Sequence, residues 1–126
     1  VNEIVWEFVV KEEARGQFEL AYGPGGMWSK LCARSPGFRG ITVLHDTRNP
    51  RRYLTIEIWD TEDQREQMLA EREAEYANLE AALGEWIESR TDMGIFTLRA
   101  EATVRPRGGT RRSKAGESRR GGRRTI

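Results

Sequence analysis

The segment Ile4-Val5-Trp6-Glu7-Phe8-Val9-Val10 does most to limit what this chain can fold into. Aromatic and β-branched residues suit the pleated, half-buried surface of a sheet, so the segment reads as a strand. Side chains alternate between the two faces of a strand. Ile4, Trp6, Phe8 and Val10 fall on one face, and Val5, Glu7 and Val9 on the other. Both faces carry large apolar groups, so a sheet built on this strand has to be covered on both sides.

The rest of the sequence supplies those helices. Residues 11–22 change to a helical period, with Ala14, Phe18, Ala21 and Tyr22 on one face. Gly23-Pro24-Gly25-Gly26 interrupts the helix, and the period resumes with Trp28, Leu31 and Cys32 before Ser35-Pro36-Gly37 ends it. Residues 38–46 and 52–59 read as two strands joined by an Asn49-Pro50 turn. Thr61 and Gln64 have capping-box spacing, with Glu62 and Asp63 at the positive end of the helix dipole. A long helix follows, with a stripe of Leu69, Tyr76, Leu79, Leu83, Trp86 and Ile87. A last strand lies within residues 91–102, centred on Ile95-Phe96-Thr97-Leu98. This order predicts an α+β fold: a ferredoxin-like βαββαβ sandwich, its four-stranded antiparallel sheet carrying both helices on one face. The uncovered face is expected to be buried by a second copy of the chain.

Charge divides the 126 residues into two parts. Residues 105–126 hold nine Lys or Arg against the single acid Glu117, whereas residues 1–104 hold 12 bases and 19 acids. The expected organisation is a globular domain over 1–104 and a disordered Arg/Gly-rich tail over 105–126, too poor in apolar groups to offset its ordering entropy. Such a tail is either a solvated extension, a contact for the acidic body, or a weak and salt-sensitive ligand for polyanions. Cys32 is the only cysteine, which excludes an internal disulfide and a Cys-cluster metal site. No stretch approaches the roughly 20 apolar residues of a membrane span, and the N-terminal segment lacks the pattern of a signal peptide. A cytoplasmic protein is the expectation.

Few residues can carry chemistry. His45 is the only histidine, so one chain cannot build a catalytic triad or a two-histidine metal site. It is either a solvated residue or an acid/base group, for which an unperturbed pKa of about 6.5 is suited. Glu7 and Glu57 each interrupt an apolar strand, and the fold makes those strands neighbours. If both point under the helices, two carboxylates share a poorly solvated site with Arg99 as a partner, and one of them becomes more basic. The alternative is an ion-pair network without catalytic purpose, and a slip of one residue would reverse either face. Tyr22 and Trp28 flank the glycine break and are candidates for lining a pocket. The glycines themselves do not cradle phosphate, because they follow no strand and match no nucleotide motif.

Three stretches carry a resemblance: "SPGFRG" (Ser35 to Gly40), "RYLTIEIWDTEDQREQM" (Arg52 to Met68) and "GIFTL" (Gly94 to Leu98). Together they make the chain resemble the antibiotic biosynthesis monooxygenase family of dimeric α+β barrels over about residues 3–101. The resemblance implies a homodimer, and a cofactor-independent monooxygenase acting on a small aromatic, quinol- or anthrone-like compound of polyketide type. It argues against the haem-degrading branch, whose histidine ligand has no counterpart in the second helix. On this reading Glu57 or Glu7 is the base and Arg99 or His45 stabilises an oxyanion. Tyr22, Trp28, Trp59 and Tyr53 enclose the ring, and no metal or cofactor is needed. The alternative is a non-catalytic barrel that holds a small hydrophobic ligand.

Overall fold

The computed structural model describes residues 1–99. The expectations about the 105–126 tail, its disorder and its contacts with polyanions, lie outside the described residues. Four strands form one sheet: β1 (Asn2–Val10), β2 (Phe38–His45), β3 (Arg52–Trp59) and β4 (Ile87–Thr97), in the order β2-β3-β1-β4 with every neighbouring pair antiparallel. The helices α1 (Arg15–Tyr22), α2 (Met27–Cys32), α3 (Glu62–Glu71) and α4 (Glu73–Trp86) complete the ferredoxin-like α+β arrangement.

The alternation read from the first strand sets the two faces. Ile4, Phe8 and Val10 are buried, as are Tyr53, Thr55, Glu57 and Trp59 on β3, so these parities face the helices. Val5, Val9, Leu54, Ile56 and Ile58 lie on the opposite face and remain half-buried. Leu44 and Phe96 extend that apolar surface towards the two edges. Among the described residues nothing covers it.

The glycine break forms where it was expected, between α1 and α2. Gly25 takes φ +73°, which an L side chain rarely adopts, and a Cβ on Gly26 would lie 1.9 Å from the Leu20 carbonyl oxygen. Ser29 Oγ donates 2.9 Å to the Tyr22 carbonyl, tying the start of the second piece to the end of the first. Phe18, Ala21, Tyr22, Trp28, Leu31 and Cys32 then bury against the sheet as one layer.

Two boundaries differ from the sequence reading. The long helix is two helices, because Arg72 leaves helical geometry at φ −118° and ψ 38°. Neither glycine nor proline marks that point. The last strand begins at Ile87, with no loop after Trp86, rather than near residue 91. Lys11 N–H closes this junction by donating 2.7 Å to the Trp86 carbonyl. The capping box at Thr61 and Gln64 is present in both directions, at 3.2 Å each way.

Candidate active site

Glu57 sits in the middle of β3 with its side chain under the helices, and the residue is 2 % exposed. Burying a carboxylate is costly unless donors replace the water it loses. Three elements supply them. Trp28 Nε1 on α2 donates 3.0 Å to Oε2, while Trp59 Nε1 at the end of β3 donates 3.0 Å to Oε1. Arg65 Nε on α3 donates 2.8 Å to the same Oε1. The Arg65 guanidinium also lies 5.8 Å from the centre of a Trp28 ring. Both indoles thus join a polar tip to the carboxylate and an apolar body to the core.

A cavity of about 80 Å³ opens beside this cluster, between sheet and helices. Glu57, Thr55, Tyr22 and Trp28 form its buried floor and roof. Trp6, Tyr76, Glu80 and Arg90 form the more exposed rim. Tyr22 stacks on Phe18 at 4.7 Å and lies 6.4 Å from Trp28, so the two residues flanking the break wall the same space. Burial pushes the Tyr22 hydroxyl well above its ordinary range, and the Glu57 charge adds to the effect. At the rim, Arg90 binds Glu80 through two hydrogen bonds of 3.0 and 2.7 Å. That contact holds the Glu80 carboxyl below the usual carboxylate range, against burial acting the other way.

The other expected residues lie elsewhere. Glu7 points to the opposite face of the sheet, where Arg52 Nε donates 2.5 Å to it and also bridges to Asp46. The shared carboxylate site therefore does not form: Glu57 pairs across the strands with Ile4, and Glu7 with Leu54, so the two acids have opposite parity. Arg99 is exposed beyond the end of β4. His45 is exposed at the end of β2, its Nε2 2.7 Å from the Pro50 carbonyl, and its ring stacks 4.6 Å from Tyr53. Tyr53 faces the helices but packs on Phe18 and donates to the Glu19 carboxylate, outside the cavity. Trp59 reaches the site only through its indole N–H, since its ring packs edge-on to Phe38 at 5.2 Å. Cys32 is fully buried, and burial pushes its thiol far up, which makes it an inert core residue.

Sequence reasoning missed Arg65, Thr55, Tyr76, Glu80 and Arg90. Arg65 had a signal: it lies on the buried stripe that runs through Met68, Tyr76, Leu79 and Leu83, where a charge has to find a partner. Arg90 had none, because it fell before the expected start of the strand that carries it. Among the described residues no group of acidic, histidine and cysteine side chains could hold a metal ion, and no helix is long and apolar enough to cross a membrane.

Solved structures share this architecture. The chain superposes on SnoaB, a cofactor-independent oxygenase from Streptomyces nogalater, with a TM-score of 0.67 and 25 % identity, covering 79 % of this chain and 94 % of that one. It also superposes on a conserved protein from Methanosarcina mazei Go1, with a TM-score of 0.60 and 18 % identity, covering 78 % and 92 % of the two chains. No curated protein matches the sequence. The model of the family described as antibiotic biosynthesis monooxygenase matches residues 3–78, from β1 into α4. By that match, on the fold just described, the chain belongs to the antibiotic biosynthesis monooxygenase family.

Proposed function

We propose that the protein is a cofactor-independent monooxygenase of small, electron-rich aromatic compounds, quinol- or anthrone-like and of polyketide type, working as a homodimer in the cytoplasm. The observation that carries this reading is the aromatic-walled cavity with the buried Glu57 carboxylate in its floor. A substrate hydroxyl or acidic C–H gives its proton to Glu57, and the resulting anion passes one electron to dioxygen. Recombination of the two radicals forms a C–O bond, and the peroxide anion takes the proton back from Glu57 to become a hydroperoxide. Loss of water from the hydroperoxide then leaves a carbonyl, so one oxygen atom stays in the product and the other leaves as water.

Each residue has a part that its position supports. Oε2 of Glu57 accepts one hydrogen bond among the described residues, from Trp28, and keeps a lone pair for a substrate proton. Arg65 and Trp59 hold Oε1 and fix the carboxylate's orientation. Arg90 at the rim supplies the positive charge expected of Arg99 or His45. At about 80 Å³ the cavity needs less enlargement to take a single-ring quinol than a three-ring anthrone. The likeness to SnoaB, a cofactor-independent oxygenase, supports the same chemistry. A second copy laid over Val5, Leu54, Ile56 and Ile58 would complete the barrel.

A second reading has its own observation. Three donors already engage Glu57, which suits an anchor for a hydrophobic metabolite as well as it suits a base. Oxygen consumption against a panel of quinols and anthrones separates the two. Uptake with at least one compound, falling by about 10²–10⁴-fold in Glu57→Gln, is the expected result for a general base. Stoichiometric binding without uptake in the unaltered protein, weakened in Glu57→Gln, would reject catalysis in favour of the binding role.

A further inference from the structure

An aromatic ring does not enter this cavity while its rim is closed. At about 80 Å³ the space is smaller than the ~150 Å³ cavity known to accept benzene. Part of the wall has to move. The floor is fixed, since Thr55, Glu57 and Trp28 are at most 2 % exposed and Glu57 is held by three donors. The rim is looser. The Arg90 and Glu80 side chains are 35 % and 31 % exposed, and they bridge β4 to α4 chiefly by holding each other. An ion pair that exposed contributes little to folding, so trading Glu80 for another anion costs the protein little. Arg90 also lies 5.3 Å from the centre of a Trp6 ring, which keeps the guanidinium at the rim when Glu80 lets go.

The floor has the opposite character. The Glu57 charge disfavours a second anion there, and Arg65, the cation that also lines this end of the cavity, is already bound to Glu57. Beside it, Thr55 Oγ1 is buried with no hydrogen-bond partner among the described residues. An unpartnered buried hydroxyl is costly, and a neutral ligand oxygen satisfies it as donor or acceptor. Polarity along the cavity therefore runs from a neutral hydrogen-bonding group inside to an exchangeable cation outside.

We propose that the cavity selects aromatic acids bearing a ring hydroxyl. The hydroxyl bonds Thr55 in the floor, and the carboxylate takes Arg90 from Glu80, so the Glu80–Arg90 pair is a gate opened by the ligand's own charge. The proposal rests on reading the cavity as the ligand site. The span agrees with it. Thr55 lies opposite Trp6 on the β3 side of β1, and Arg90 lies opposite Phe8 on the β4 side. Two strand spacings and a two-residue step along β1 put their backbones roughly 12 Å apart, a gap of the size bridged by one para-substituted ring with a hydrogen bond at each end. Glu80 and Arg90 both lie beyond the 3–78 stretch that carries the family match, so the gate is not something that match brings.

The test uses 4-hydroxybenzoate, its methyl ester and benzoate as probes, followed by quenching of tryptophan fluorescence, since Trp6 and Trp28 line the cavity. The acid should bind about tenfold more tightly than the ester, as a charge-assisted bond to arginine implies. Arg90→Gln should abolish that preference, and Arg90→Lys should keep most of it. Glu80→Gln should tighten the acid several-fold and leave the ester unchanged, because the competing carboxylate is gone. Benzoate should bind more weakly than 4-hydroxybenzoate, and Thr55→Val should erase that difference. Equal binding of acid and ester, a preference that survives Arg90→Gln, or no binding of any probe would overturn the gate. Acid preference without oxygen uptake would leave the gate standing and reject oxygenation, whereas uptake without acid preference would do the reverse.

Discussion

The two faces of the sheet solve the same problem differently. Each places a glutamate among apolar residues on a central strand and answers it with an arginine. On the covered face Glu57 and Arg65 are 3 % and 12 % exposed, and two indole N–H groups complete the carboxylate's bonding. On the open face Glu7 and Arg52 are 25 % and 37 % exposed, and Arg52 is shared with Asp46. The covered pair borders a cavity, whereas the open pair sits in a sheet surface whose apolar residues have no partner among the described residues. A buried charge needs its own fixed donors, while an exposed one can share them with water. The same residue type therefore borders a cavity on one face and makes a local ion pair on the other.

Glu57→Gln should break this comparison most visibly. It leaves Arg65 buried without its counter-charge, and removing one partner of a buried pair costs about 3–5 kcal/mol. Thermal or urea unfolding reads the loss. The double variant Glu57→Gln with Arg65→Met should recover a good part of it, because no uncompensated charge then remains. A double variant as unstable as Glu57→Gln alone would mean that the two indole bonds, and not the ion pair, hold the site together.

The roof of the covered face comes next. An alanine at Gly26 would drive its Cβ to within 1.9 Å of the Leu20 carbonyl oxygen. The cost should approach the upper end of overpacking effects, about 3 kcal/mol. Gly25 has open space around it but a φ of +73°, so Gly25→Ala should cost about 1 kcal/mol, from backbone strain alone. Equal losses at the two positions, measured by urea unfolding, would show that the break is not held tightly against α1.

Much of the fold was legible in the sequence, and the site less so, for one physical reason. Period and punctuation are local. The alternation in Ile4–Val10, the glycine break and the Thr61–Gln64 box each announced an element that the structure contains. The Arg72 kink had no local mark, and the early start of β4 was hidden because Trp86 and Ile87 continue a helical stripe up to the junction. The site depends on parity between strands, which local patterns leave free by one residue. Tyr22, Trp28 and Glu57 do meet at one cavity. Glu7 leaves by parity, and Arg99 and His45 leave because they sit at strand ends away from it. Thr55 could not have been singled out, since its significance is the absence of a partner, a property of packing.

A small effect on folding, and a decisive one for the open face, is expected from Ile56→Lys. Ile56 lies at the centre of that face, flanked across the strands by Val5 and Thr42. If a second copy covers it, the new charge is desolvated at the interface and the pair separates, which light scattering would report as a halved mass. Within one subunit the lysine can reach water, so a surface substitution of this kind should change monomer stability by only about 0.5 kcal/mol. Glu7→Gln should change still less, because Arg52 keeps Asp46 at 3.1 Å and none of the three groups is fully buried. A dimer that survives Ile56→Lys would place any interface elsewhere, and the half-buried Val5, Leu54 and Ile58 would then be a sheet surface that tolerates water.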